Sequence, residues 1–71
     1  MVFKAKPCLR AERLRRGWSM INVCMRTGIS PSDLSLIERG HKPAYPGWRR
    51  RLSQAFGMPE SELFEEAHEK R

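Results

Sequence analysis

The chain has 71 residues, of which 39% are apolar and 8% aromatic. A chain of this length forms one small domain that buries only about 60% of the surface exposed when unfolded, which excludes a multidomain enzyme. Its five glycines and five prolines are ordinary numbers for a globular protein and exclude collagen-like or low-complexity sequence.

Positive charge dominates most of the chain. Fourteen Lys and Arg against eight Asp and Glu give a net charge of +6. Residues 1–59 contain twelve basic and three acidic side chains, whereas residues 60–71 contain two and five. A cationic body attracts polyanions through its long-range field and through counterion release, so the charge favours a polyanionic partner without identifying it.

The sequence contains neither a membrane-segment pattern nor a disulfide pattern. No apolar run approaches the roughly 18 residues that suggest a membrane span. The N-terminus MVFKAKPCLR also lacks the apolar centre of a secretory signal. We therefore expect a cytoplasmic protein without membrane contact. Cys8 and Cys24 are expected to be free thiols, because secreted domains of this size usually contain several bridges.

Glycines and capping residues divide the chain into helices, and no stretch alternates strictly enough to predict a strand. A first helix is predicted over residues 9–16 and ends at Gly17, which can adopt the left-handed conformation. A second helix follows Ser19, whose hydroxyl can cap it, and ends at Gly28. Its buried side is predicted to consist of Met20, Val23, Cys24 and Thr27.

The clearest local signal starts a third helix. Ser30 can cap it, Pro31 suits its first position, and Asp33 can reach back to the Ser30 amide in a capping box. Ile29 can pack against this start, and the helix is expected to run through Arg39. Its inward residues are predicted to be Leu34 and Ile37, and its opposite side Ser32, Ser35, Leu36 and Arg39.

Two further helices are predicted after the loop HKPAYPG. An apolar stripe at helical spacing defines a fourth helix that ends at Gly57, and a short fifth helix follows Pro59. The stripe consists of Trp48, Leu52, Ala55 and Phe56, and the face of the fifth helix of Leu63, Phe64 and Ala67. The predicted domain covers residues 8–67, between a flexible basic arm at residues 1–7 and a frayed tail at 68–71.

The second and third helices form the pattern that bears on function. Two short helices joined by a tight turn that contains glycine, the second of them capped and polar outside, indicate a helix-turn-helix. A short helix of this kind fits the major groove of DNA.

The sequence also resembles the helix-turn-helix domains of phage lambdoid repressors, Cro proteins and their bacterial relatives. The matching strings, in chain order, are RLRRGWS, TGIS, LSLIERG and LSQAFGMPESELF. The resemblance implies an all-α, compact five-helix domain that binds double-stranded operator DNA, commonly as a homodimer, and regulates transcription, with repression as the expected mode. The family has no cofactor or small-molecule substrate that this sequence would be expected to share.

The resemblance carries DNA-contacting roles to particular positions. Base readout falls on the front of the third helix, at Pro31, Ser32, Ser35 and Leu36. Phosphate contacts fall on Ser19, Met20, Arg39, Lys42, Tyr45 and Trp48. The consecutive Arg49, Arg50 and Arg51 step about 100° apart on a helix, so one or two of them, with Arg49 and Arg50 as candidates, are expected to contact phosphate while another covers apolar surface with its stem; the alternative is a solvated cationic face. Lys4 and Lys6 of the arm are further candidates for contacts to DNA. The sequence departs from the family pattern at Met20, where glutamine is usual, and at Pro31 and Asp33.

The resemblance also implies two structural contacts. An arginine of the first helix pairs with a glutamate near the end of the third, here Arg13 with Glu38; the alternative is two unrelated solvated charges. A weak dimer is expected through the fifth helix, with an exposed Leu63 or Phe64 at the contact. The alternative for these two residues is packing within the domain.

A protein-interaction module with weak or no specific DNA binding, resembling an antitoxin or a regulatory partner, is the alternative function. Met20, Pro31 and Leu36 could form an exposed apolar patch for such a partner. An enzyme is not expected, because His41 and His68 have no nucleophile at a suitable spacing. The Cys and His residues are also too irregularly spaced for a metal site.

Overall fold

The structure is a computed structural model that describes residues 2–67. It contains five α-helices and one two-stranded sheet, so the predicted all-α helix-turn-helix fold class is confirmed. The helices are α1 (Pro7–Arg15), α2 (Met20–Thr27), α3 (Pro31–Glu38), α4 (Pro46–Phe56) and α5 (Glu60–Leu63), and the strands are β1 (Val2–Ala5) and β2 (Phe64–Ala67).

Capping residues define the ends of α2 and α3 as the sequence predicts. The Ser19 hydroxyl accepts a hydrogen bond of 3.1 Å from the Asn22 amide, and α2 ends at Gly28 with a φ of 76°. The Ser30 hydroxyl accepts from the Asp33 amide at 3.2 Å. Each bond satisfies one of the amides that a helix N-terminus leaves without a partner, so the N-terminus of each of these short helices is fixed locally.

The helices enclose a single apolar core. The largest side chains with essentially no exposure are Leu9, Val23, Leu34, Ile37, Leu52 and Leu63. On α2, Cys24 and Thr27 are buried as predicted, and Met20 packs against the core from a half-buried position. The Thr27 hydroxyl donates to the Val23 carbonyl at 2.8 Å, which satisfies this polar group inside the core.

The described residues include a two-stranded antiparallel sheet. Two predictions are therefore wrong: that the chain has no strands, and that residues 1–7 form a flexible arm. β1 pairs with β2 in a register that joins Val2 to Ala67 and Ala5 to Phe64. On the other edge of β1, the Phe3 carbonyl accepts from the Ala44 amide at 2.8 Å. The arm prediction was wrong because these partners lie far away along the chain and leave no local signal in residues 2–5.

The sheet also shortens the fifth helix. The predicted helical face of Leu63, Phe64 and Ala67 is wrong, because α5 ends at Leu63 and Phe64 adopts extended angles, with a φ of −133° and a ψ of 154°. The Lys6 amide then donates to the Leu63 carbonyl at 2.8 Å, and Lys6 Nζ donates to the Ser61 carbonyl at 2.9 Å. Lys6 is thereby held against the domain. The predicted frayed tail, residues 68–71, lies outside the described residues.

Within residues 2–67, none of the helices is both long and apolar enough to cross a membrane.

Candidate nucleic-acid interface

Helix α3 has an inner face in the core and an outer face at the surface. Leu34 and Ile37 are both 0% exposed. On the opposite side Pro31 and Ser32 are exposed, while Ser35 and Leu36 are half-buried. The structure therefore places all four predicted base-reading residues at or near the surface of one helix.

A buried ion pair between α1 and α3 fixes the position of α3 in the domain. Arg13 Nε donates to Glu38 Oε2 at 2.7 Å, and Nη2 donates to Oε1 at 3.2 Å, so the contact is bidentate. Arg13 Nη1 also donates to the Trp18 carbonyl at 3.0 Å. Only 9% of the Arg13 side chain and 2% of the Glu38 side chain are exposed. These bonds tie α1, the segment before α2, and α3 to one another.

A groove of about 660 Å³ runs along one side of α3. The residues that line it are Arg10, Arg13, Met20, Ser35, Glu38, Arg39 and His41. Arg10 and Arg39 are exposed, and Arg39 Nη2 donates to the Ser35 hydroxyl at 3.0 Å. Arg10 was not among the residues predicted to contact DNA, although its position one helical turn before Arg13 places both residues on the same side of α1. The rim of the groove is cationic because Arg10 and Arg39 are exposed there. The negative charge of Glu38 does not offset them, since it is already paired with Arg13.

A second ion pair lies on the other side of α3. Lys42 Nζ donates to Asp33 Oδ1 at 2.8 Å, and it lies 5.6 Å from the centre of the Trp48 ring. The Tyr45 and Trp48 ring centres are 5.0 Å apart. Instead of closing the predicted capping box, the Asp33 carboxylate therefore binds the loop that precedes α4.

The Asp33–Lys42 hydrogen bond shifts the titration of both groups. The ammonium of Lys42, with a smaller effect from the Ser30 hydroxyl, holds the pKa of the Asp33 carboxyl below its ordinary value. The same bond raises the pKa of Lys42. Both shifts favour the charged forms, which is the direction that an opposite charge within hydrogen-bonding distance produces.

Replacing Lys42 with methionine is expected to raise the pKa of Asp33 toward an ordinary carboxyl value of about 4, because the carboxylate loses its main donor. A carboxyl group whose folded pKa is lowered stabilises the fold above its unfolded pKa, and that stabilisation is lost as the pH falls through the folded pKa. An NMR titration of the Asp33 carboxyl carbon measures the shift, with Arg39→Met as a control that leaves the pair intact. An unchanged titration in Lys42→Met would contradict the ion pair.

The consecutive arginines of α4 have different surroundings. Arg49 Nη1 donates to the Ala44 carbonyl at 2.6 Å, its Nε bonds to Glu60 at 3.3 Å, and its guanidinium lies 4.2 Å from the centre of the Phe3 ring. Arg50 is exposed, and Arg51 Nη1 donates to the Thr27 carbonyl at 3.4 Å. Arg50 is therefore more available for a phosphate contact than Arg49, whose guanidinium is already bound within the domain.

The two residues predicted for a dimer contact lie inside the domain. Leu63 is 0% exposed and Phe64 is 3% exposed, and both belong to the core. The expectation that one of them is exposed was wrong, because pairing of β2 with β1 turns the chain inward at this point. Neither side chain offers a surface to a second copy.

No group of three or more His, Cys, Asp or Glu side chains within residues 2–67 comes together in a way that could hold a metal ion.

The chain is similar in sequence to known proteins over most of its length. The chain is 31% identical over 55 residues to proteins of Mycobacterium bovis and of two Mycobacterium tuberculosis strains that are named as uncharacterized HTH-type transcriptional regulators. Each alignment covers 78% of this chain and 22% of the relative, so the chain spans about a fifth of the length of the curated relatives that it matches. No solved structure gives a significant match. Residues 8–65 match the family described as helix-turn-helix domain, and the chain belongs to that family.

Proposed function

We propose that this domain is a sequence-specific DNA-binding transcriptional regulator that inserts α3 into the major groove. The observation that carries the proposal is the placement of α3, which is anchored behind by Arg13 and Glu38 and presents Pro31 and Ser32 to solvent. A rigid, outward-facing helix of this length fits the width of the major groove. The names of the mycobacterial relatives support the same function.

Base recognition in this proposal depends on small side chains. The hydroxyls of Ser32 and Ser35 can donate to or accept from several base edges, and Leu36 can contact the methyl group of thymine. Pro31 brings no donor and limits the approach of the helix by its shape. The resemblance to lambdoid repressors supports repression as the mode of regulation.

Phosphate contacts in this proposal come from the cationic groove beside α3. Arg10 and Arg39 are exposed at its rim, Met20 of α2 also lines it, and Ser19, directly before Met20, is exposed. Outside this groove, Tyr45 is 50% exposed and Arg50 of α4 is also exposed. Exposed cations beside an inserted helix would contact the phosphate backbone that borders the major groove.

A homodimer is part of the proposal because operator-binding relatives commonly use two copies on a two-fold site. Two copies would place their α3 helices in successive major grooves, about one helical turn of DNA apart. Since Leu63 and Phe64 are buried, such a dimer has to use other surfaces. The large apolar side chains exposed within residues 2–67 are Leu14, Ile21, Met25 and Tyr45.

Substituting glutamate for Ser32 or Leu36 is expected to weaken binding to selected DNA by roughly 10- to 100-fold, because a carboxylate on the front of α3 would face acceptor edges and phosphates. Fluorescence anisotropy with genomic fragments at low salt measures the change. Ser61→Glu is the matched control, since it makes the same substitution at an exposed position of α5. Equal affinity of both α3 variants and the control would contradict insertion of α3.

A protein-interaction module is the second candidate, and one feature of α2 favours it. Ile21 is 56% exposed and Met25 is 81% exposed, one turn apart on the same helix. The patch predicted from the sequence is smaller than expected, because Met20 and Leu36 are half-buried. DNA affinity that is independent of the α3 substitutions would favour this alternative.

A further inference from the structure

The Asp33–Lys42 pair holds a donor and an acceptor side by side at the edge of the proposed reading helix. Asp33 lies in the first turn of α3, directly after Pro31 and Ser32, and Lys42 comes from the following loop. Nζ and Oδ1 are 2.8 Å apart, and 32% of each side chain is exposed. The Trp48 ring lies 5.6 Å from Nζ, which limits the positions that the ammonium can take.

This pair is poorly suited to anchoring a phosphate. A paired ammonium and carboxylate have no net charge, so their combined attraction to the DNA backbone is small. A carboxylate near the backbone is also repelled by phosphates, which it cannot neutralise. The pair therefore has to be explained by something other than the counterion release that accounts for Arg10 and Arg39.

The chemistry of the pair matches the major-groove edge of one base pair. A G·C pair presents two neighbouring acceptors, N7 and O6 of guanine, followed by the N4 amino donor of cytosine. Lys42 has three donors, of which one binds Asp33, so two are left for N7 and O6. The Asp33 carboxylate has several lone-pair sites and can also accept from N4.

An A·T pair fits the same two side chains less well. It places its single donor, N6 of adenine, between the acceptors N7 and O4. If the Asp33 carboxylate accepts from N6, the neighbouring Lys42 ammonium can reach N7 or O4 but not both. The order of donors and acceptors in the protein therefore favours G·C over A·T.

We propose that Asp33 and Lys42 act together as a specificity-determining pair that selects a G·C base pair, with Lys42 bound to guanine and Asp33 bound to cytosine. This inference rests on the proposed insertion of α3 into the major groove. It gives a positive role to an acidic residue that would otherwise only weaken DNA binding at the front of the helix.

The first test compares the DNA sequences that each protein selects from a random duplex pool. Wild type is expected to enrich a motif with one invariant G·C position, and Asp33→Ala and Lys42→Ala are each expected to lose the preference at that position alone. Glu12→Ala is the matched control, because it removes an ion pair of 2.6 Å to Arg15 on α1. Thermal unfolding of each variant shows whether it remains folded.

The outcomes separate this inference from the proposed function. A motif that is unchanged in both variants overturns the specificity pair, even if both bind more weakly, because uniform weakening indicates a structural role for the pair. A failure of wild type to enrich any motif contradicts the proposed function itself.

A second test leaves the protein intact and changes the DNA. Replacing the invariant guanine with 7-deazaguanine removes the N7 acceptor, and wild-type affinity is expected to fall by about tenfold. Lys42→Ala is expected to bind both duplexes equally, because its donors are absent. Equal sensitivity of wild type and Lys42→Ala to the analogue would overturn the assignment of Lys42 to guanine.

Discussion

Replacing Glu38 with alanine is expected to lower the free energy of unfolding by about 3–5 kcal/mol, because it leaves the buried Arg13 guanidinium without a counter-charge. The Glu38 side chain is 2% exposed and accepts two hydrogen bonds from Arg13. A loss of this size is a large part of the stability of a small domain, which is typically about 5–15 kcal/mol. Chemical denaturation, with an added osmolyte if the variant is partly unfolded, measures the change.

A double-mutant cycle isolates the contribution of the Arg13–Glu38 contact. Arg13→Met combined with Glu38→Leu is expected to be less destabilising than the sum of the two single changes, since the double variant leaves no buried charge alone. Glu12→Ala is the control for loss of a half-buried carboxylate, and we expect little change because its partner Arg15 is 67% exposed and remains solvated. Strictly additive effects of the two substitutions would contradict coupling across the pair.

Replacing Phe64 with alanine is expected to destabilise the domain by about 3–5 kcal/mol, because the change leaves a cavity in the core. Phe64 is 3% exposed and lies where α5 ends and β2 begins, opposite Ala5 of β1. The loss should therefore affect both the core and the attachment of the N-terminal strand. Equilibrium denaturation by guanidinium measures it.

The control for Phe64 is Met25→Ala, since Met25 is a large apolar residue that is 81% exposed. An exposed substitution of this kind usually changes stability by less than about 0.5 kcal/mol. The destabilisation by Phe64→Ala is expected to be the same at low and high protein concentration. A loss that appears only at high concentration would indicate that Phe64 contributes to a dimer instead of to the core of one chain.

Local sequence was sufficient for the helix-turn-helix itself. Ser19 and Ser30 cap the two helices, and Gly28 with its φ of 76° separates them, as residue type and spacing predict. These features depend on hydrogen bonds and backbone conformations within four or five residues. Patterns of that range are readable without knowledge of the tertiary fold.

The candidate interface was only partly predictable from the sequence, because helical periodicity is local whereas the contacts of the charged side chains are not. The sequence places Ser32 and Leu36 on the outer side of α3 through helical periodicity alone. It does not show that Arg49 is bound to the Ala44 carbonyl, or that Lys42 is bound to Asp33. Whether a cation is available to DNA depends on neighbours that the loop between α3 and α4 brings close in space.

By itself the sequence determined the helical class, the boundaries of α2 and α3, and the cationic character of the body, because capping, periodicity and charge are local or additive properties. Only the tertiary structure decided that residues 2–5 form a strand and that Phe64 is buried. These two outcomes depend on one antiparallel pairing between the ends of the chain. A strand of four residues gains its hydrogen bonds only from a distant partner, so its own residues do not specify it.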